Sequence, residues 1–332
     1  MLTVGLIGAG RIGRVHASTI VQDEGSQLVA VADSVDENAK NLAKLYKVNP
    51  RSVDAIFEDN SIEAILIASS TDTHSDFIEK ASKAGKAILC EKPVDLSLAR
   101  AKRCLENTKS NEHSIMMGFN RRFDPNFVAL KNALDGGEIG TAELLSITSF
   151  DPAPPPIDYV KVSGGIFKDM MIHDFDMANF LYGELPKSIF VAASAIVDKK
   201  IGALGDYDTA VATLKYRDGR LAVIKNSRRA TYGYDQRIEV LGSKGLLQVQ
   251  NMVENSMVKS TEMGVESSKP EYFFLERYKS AYQNEWTAFV TAVKTKTPMP
   301  VSLSDGIAAL AIAEAAAASA ETGSEVAIAN FL

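Results

Sequence analysis

Cysteine is scarce in this 332-residue chain, which has only Cys90 and Cys104. Their spacing fits no metal-binding pattern, and both fall in or beside predicted strands and helices. They read as buried thiols of a reducing compartment, which excludes a disulfide-stapled scaffold and a cysteine metal site. Positive charge is short as well. Lys and Arg number 36 against 42 Asp and Glu, a net charge of −6, and this argues against a general binder of nucleic acid or acidic membranes. Long apolar runs are missing. The most lipid-like stretch, Gly306–Ala320, is short, alanine-rich and interrupted by Glu314, so it reads as a buried or half-buried helix and not a membrane span. The N-terminus carries no basic segment or cleavage pattern and reads as a first strand, not a signal peptide. The expected location is therefore cytoplasmic. Core material is plentiful: 46% of residues are apolar, and a chain of this length is expected to form two domains.

The first apolar run, Leu2–Ile7, leads into Gly8-Ala9-Gly10-Arg11-Ile12-Gly13 and then a helix-compatible stretch. A G-x-G-x-x-G spacing at a strand-to-helix junction suits a dinucleotide. Gly8 allows the tight turn, Gly10 lets the backbone approach a pyrophosphate, and Gly13 lets helix and strand pack closely. The phosphates then sit at the positive helix N-terminus. Alone, the motif is weak. A second apolar strand, Leu28–Ala32, ends at Asp33, 20 residues beyond Gly13. A carboxylate there accepts hydrogen bonds from both ribose hydroxyls and repels a 2′-phosphate. The combination predicts NAD in preference to NADP.

Up to about residue 120, short apolar runs alternate with helical stretches. Strands are expected at Leu2–Ile7, Leu28–Ala32, Ala64–Ala68, Ala87–Cys90 and Ser114–Met117. The alternation predicts a doubly wound parallel sheet over residues 1–120, an NAD-binding domain of the Rossmann type. Three loops at strand C-termini would line its crevice: Gly8–Gly13, Ser69–His74 and Glu91-Lys92-Pro93. After Phe123 the pattern changes. A helix from Pro125 closes at Asp135-Gly136-Gly137, another is expected over 169–182, and strand patterns then follow one another from Ser188 to Gln250. Residues 121–332 are expected to form an α+β domain that binds substrate and forms oligomers. Its sheet would be open and largely antiparallel, with one face free for a partner subunit. Helices near 276–294 and 303–320 close the chain, the last placed to pack back towards the first domain. The fold class is α/β.

Removing a hydroxyl proton while hydride leaves a carbon calls for a base titrating near neutrality, which suits histidine. There are four. His113 lies in a polar stretch and reads as surface. His16, on the first helix, fits packing better than catalysis. His74 ends a crevice loop, where a cofactor-side role and a capping role stand level. His173 stands apart, because Asp169 precedes it by four residues. On an α-helix the two share a face, and a carboxylate one turn away can orient the imidazole and raise its basicity. A buried helix with a satisfied polar pair is the plainer alternative. Lys92 follows an apolar strand and can hydrogen-bond a reacting hydroxyl and stabilise a developing alkoxide. Read alone, it would be a solvated surface lysine. No residue cluster suits a metal.

Gly8-x-Gly10-x-x-Gly13, Glu91-Lys92-Pro93 and Gly164-Gly165 leading to Asp169-x-x-x-His173, in this order, resemble the Gfo/Idh/MocA oxidoreductase family along essentially the whole chain. The inositol-oxidising members are the most similar, through Gly118–Asp124, Asp151–Pro156, Val162–Asp176 and Arg228–Arg237. The resemblance implies oxidation of a small polyol, an inositol, by NAD. It implies Lys92, Asp169 and His173 as catalytic residues, with His173 as proton acceptor held by Asp169. Substrate contacts would come from these three together with Arg122 and Tyr234. Gly8, Gly10, Arg11, Ile12, Gly13, Asp33, Ser69, Ser70, Thr71, His74, Glu91 and Lys92 would hold the cofactor. A homotetramer built through the C-terminal sheet is implied as well.

Overall fold

The computed structural model describes Met1–Leu332. In chain order the first part comprises β1 (Leu2–Ile7), α1 (Arg11–Gln22), β2 (Ser26–Ala32), α2 (Asp36–Tyr46), β3 (Asn49–Pro50), α3 (Val53–Glu58), β4 (Ala64–Ile67), α4 (His74–Lys83), β5 (Ala87–Glu91), α5 (Leu98–Thr108) and β6 (Ile115–Gly118). Next come α6 (Pro125–Asp135), β7 (Ala142–Phe150), α7 (Ile157–Ser163), a π-helical turn Phe167–Met171, α8 (Ile172–Tyr182), β8 (Ser188–Ser194) and α9 (Lys199–Ala203). Strands β9 (Thr209–Lys215), β10 (Leu221–Ser227), β11 (Asp235–Gly242), β12 (Gly245–Val249), β13 (Val258–Thr261) and β14 (Gly264–Ser267) follow. The chain ends with α10 (Phe274–Arg277), α11 (Lys279–Thr295), α12 (Leu303–Thr322) and β15 (Val326–Ala327).

Two compact units emerge: residues 1–123 with 280–310, and residues 124–279 with 311–332. In the first, six strands lie in the order β3-β2-β1-β4-β5-β6, every neighbouring pair parallel. β4 and most of β5 are buried throughout, as a sheet covered on both faces requires. The strand order reverses between β1 and β4, and in sheets of this kind the ligand crevice opens beyond the carboxyl ends of strands at that point.

The second unit of the chain is not the continuous stretch 121–332 expected from composition, because residues 280–310 group with the first. Buried Trp286 donates its indole N–H to Ser26 Oγ at 2.9 Å, and Met117 N donates to Val301 O at 3.1 Å. Helical periodicity shows that such a helix has an apolar face but not which core receives it.

The second unit holds a seven-stranded sheet, β12-β11-β7-β10-β9-β8-β15, antiparallel except for the β7–β10 pair. Alternation sorts its faces. Ala210, Ala212 and Leu214 of β9 are buried whereas Val211 and Lys215 are exposed. A buried polar knot ties α8 to the covered face: Asp174 accepts from Ser149 Oγ at 2.6 Å and from Asn226 Nδ2 at 2.7 Å. The two-residue β3 and β15 and the exposed hairpin β13–β14 were not foreseen. Such pieces are too short, or too evenly exposed, to leave a period in the sequence.

Candidate active site

At the turn after β1, Gly8 adopts φ +104°, and a Cβ on it would lie 2.3 Å from Ala68 O. A Cβ on Gly13 would fall 1.9 Å from Gly8 O, so only glycine lets α1 come this close to the strand. Gly10 is different, since nothing lies within 4 Å of a Cβ built there. The backbone at Gly10 therefore faces open space, and no side chain caps the N-terminus of α1. A helix start without a side-chain cap, and with room beside it, suits a phosphate. Arg11 is exposed and Ile12 half-buried at this same start. Asp33, just past β2, accepts from Ala9 N at 2.6 Å and from Val35 N at 2.8 Å. Its carboxylate is thus fixed against the glycine turn and retains further lone pairs for ribose hydroxyls.

The loop after β4 is stitched internally. Ser69 Oγ and Thr73 Oγ1 are 2.7 Å apart, and Thr73 Oγ1 donates to Ser70 O at 2.7 Å, with Thr71 beginning the following 3₁₀ turn. Buried His74 spans two crevice loops, its Nδ1 2.8 Å from Pro93 O and its Nε2 3.1 Å from Ser69 O. Burial lowers the pKa of this imidazole, and the ring joins the loop after β4 to the cis Lys92-Pro93 peptide. Lys92 itself is half-buried just beyond the C-terminal end of β5.

Glu91 turns inward. Its Oε1 lies 2.7 Å from His16 Nε2, and its Oε2 accepts from Lys92 N at 3.3 Å. His16 is 1% exposed, with its ring edge-on to Tyr282 at 5.4 Å. The packing role expected of His16 agrees with its burial, but its carboxylate partner, 75 residues away, carries no local signal. Arg122 is buried too, with Nη2 3.2 Å from Asp305 Oδ1. His113 is exposed, and Cys90 and Cys104 are buried free thiols whose pKa burial raises.

In the second unit, the expected α-helix over 169–182 begins instead as the π-helical turn Phe167–Met171, which contains Asp169, and becomes α8 at Ile172. A π turn shifts the angular relation between positions four apart, and such turns recur at functional sites. The entry is forced locally. Gly164 and Gly165 have φ of +83° and +79°, and Asp206 Oδ1 accepts from Ile166 N at 3.0 Å. Asp169 is held on both oxygens: Tyr159 OH donates to Oδ1 at 2.8 Å, and Arg228 approaches Oδ2 at 3.4 Å. Arg228 is 1% exposed, whereas His173 is half-buried. Tyr234 is buried, its N donating to Glu271 O at 3.0 Å and its ring edge-on to Tyr278. Tyr159, Asp206 and Arg228 were not foreseen as partners of this segment. Arg228 lay within a matched motif, but its pairing with Asp169 depends on the tertiary fold.

Residues 2–119 match the profile of an oxidoreductase family with an NAD-binding Rossmann fold, and residues 127–248 match the GFO/IDH/MocA C-terminal domain. The chain is 47% identical to inositol 2-dehydrogenase of Rhizobium meliloti (strain 1021), over 98% of both chains. The chain belongs to the Gfo/Idh/MocA oxidoreductase family. It is also 46% identical to myo-inositol 2-dehydrogenase of Thermotoga maritima, over 93% of both chains. Among solved structures, it superposes with a TM-score of 0.89 on myo-inositol dehydrogenase from Lactobacillus casei in complex with NAD(H) and myo-inositol. That match has 26% identity and covers 98% of this chain and 96% of the other. As a Gfo/Idh/MocA member the chain is an NAD-dependent oxidoreductase acting on a CH–OH group. The open approach at Gly10, the uncapped start of α1 and the fixed Asp33 carboxylate all fit that cofactor.

Proposed function

We propose that this protein oxidises myo-inositol, or a close stereoisomer, to the corresponding inosose. His173 takes the hydroxyl proton, and Lys92 hydrogen-bonds the reacting oxygen and steadies its developing charge. Asp169, gripped by Tyr159 and Arg228, is the carboxylate that keeps the imidazole oriented. Bound NAD supplies the hydride acceptor. Gly8, Gly10 and Gly13 with the start of α1 hold its pyrophosphate, Asp33 selects against a 2′-phosphate, and Ser69–Thr71 line its nicotinamide side. Arg122 and Tyr234 supply hydrogen bonds to the polyol, and a site built to bond hydroxyls discriminates strongly between stereoisomers. The observation that carries this reading is a half-buried imidazole four residues beyond a carboxylate fixed on both oxygens.

The proposal extends to a cytoplasmic homotetramer formed through the C-terminal sheet. Leu221, Leu144, Leu241 and Leu246 are direct cross-strand neighbours on β10, β7, β11 and β12, and all four are exposed. A row of four leucines facing water favours a partner surface. The test is NADH formation at alkaline pH with a panel of inositols and aldoses, because the reaction releases a proton. Turnover with myo-inositol and NAD, and little with NADP, is the expected result. Turnover restricted to an unrelated polyol would replace the substrate assignment.

A further inference from the structure

Beneath Lys92 lies a buried cluster that the proposed chemistry does not use. Glu285, on α11, is 0% exposed, and neither of its carboxyl oxygens has a hydrogen-bond partner. It lies close enough to Glu91 to feel that charge. Glu91 is itself held by His16 Nε2 and by the Lys92 amide, while His16 Nδ1 is a third buried polar atom without a hydrogen-bond partner. Orphaned buried donors and acceptors are rare, and several around one carboxylate call for an explanation.

We propose that Glu285 is a positioning residue: with His16 it holds the Glu91 carboxylate, and through Glu91 it fixes the main chain that presents Lys92. Two carboxylates sealed together cannot both be charged at modest cost. Burial first, and the Glu91 charge second, push the Glu285 carboxyl well above its ordinary range, which favours its neutral acid form. A neutral carboxyl has an O–H to donate. Glu91, whose charge acts on Glu285, is the acceptor in this proposal. Around Glu91, Cys90 and Lys92 flank it along the chain, His74 on α4 feels its charge, and Tyr282 on α11 packs edge-on against His16. None of these supplies a second carboxylate.

The inference rests on the proposed role of Lys92 for its catalytic consequence, but its physical core does not, and the experiment keeps the two apart. The Glu285→Gln and Glu285→Leu variants are compared with the parent in three measurements, the first two without cofactor. In the first, unfolding is followed by the single tryptophan, Trp286, across pH. The folded parent keeps the Glu285 proton to higher pH than the unfolded chain does. Its stability is therefore fullest below the ordinary carboxyl range and falls as pH rises towards the folded value. Glu285→Gln, neutral and still a donor, removes that slope. The second measurement is the infrared band of a protonated carboxyl, which the parent shows and Glu285→Gln lacks. In the third, Glu285→Gln keeps kcat close to the parent, whereas Glu285→Leu lowers kcat by about 10²-fold with the KM for NAD little changed, since misplacing a catalytic group by about 1 Å costs that much. An unchanged pH slope, an absent band, or equal loss of kcat in both variants overturns the proposal. If the slope and band behave as expected but Lys92→Ala stays active, the Lys92 assignment fails and the buried acid stands.

Discussion

Two histidines of this chain are matched with carboxylates, one in space and one along the chain, in opposite settings. His16, in the N-terminal unit, is 1% exposed, and its Nε2 meets Glu91 at 2.7 Å in the core. His173, in the C-terminal unit, remains half-buried, four residues beyond an Asp169 whose oxygens are taken by Tyr159 and Arg228. The difference lies in access. A sealed imidazole can only join elements, here α1 to the end of β5. An imidazole with an open side, beside a carboxylate fixed by other groups, can accept a proton and pass it on.

The largest expected effect breaks this comparison most directly. His173→Ala and Lys92→Ala should each lower kcat by about 10²–10⁴-fold, the usual contribution of a general acid–base group, while NAD binding measured by titration stays near the parent value. His16→Ala should do something else. Deleting the partner of a buried carboxylate costs about 1–3 kcal/mol, so the thermal midpoint should fall while the variant that stays folded keeps a measurable kcat. If His16→Ala matched His173→Ala in kcat without loss of stability, the division between joining and catalytic histidines would fail.

The two units also differ in how much of them the sequence reveals. The cofactor side is legible because its constraints are local. Gly8, Gly10 and Gly13 act through their own backbone, and Asp33 follows at a fixed distance along the chain. The parallel sheet is legible for the same reason, since each strand–helix alternation leaves its own period. The catalytic segment is only half legible. Gly164-Gly165 and the Asp169–His173 spacing are visible, but the π turn is not, because it depends on Asp206 holding Ile166 N from 40 residues away. Glu285 shows the limit most plainly. In the sequence it is one more acid on an amphipathic helix, and only the fold reveals that it is sealed beside Glu91.

A second pair of variants sharpens the comparison within the glycine turn. Gly13→Ala places a methyl 1.9 Å from Gly8 O, an overlap that α1 can relieve only by moving off the strand. It should lose stability by about 1–3 kcal/mol, as overpacking does, and NAD affinity with it. Gly10→Ala meets nothing within 4 Å, so unfolding should be nearly unchanged while NAD binding weakens, because the methyl occupies the approach of the pyrophosphate. A calorimetric scan and an NAD titration on both variants separate the two roles. Equal behaviour would mean that Gly10 serves packing and not the ligand.

The smallest effect tests how Asp169 is held. Tyr159 is 44% exposed and donates one hydrogen bond to Oδ1, while Arg228, almost fully buried, reaches Oδ2. Tyr159→Phe removes a single donor at a wet position and leaves the arginine in place. A hydrogen bond of that kind contributes about 0.5–1.5 kcal/mol, which corresponds to a decrease in kcat of roughly two- to thirteenfold if the carboxylate transmits its orientation to His173. The acidic limb of the kcat–pH profile should shift with it, while the NAD titration and thermal midpoint stay put. Were kcat and the profile both unmoved, Arg228 alone would hold Asp169, and the exposed tyrosine would be a bystander to a carboxylate already fixed from inside the unit.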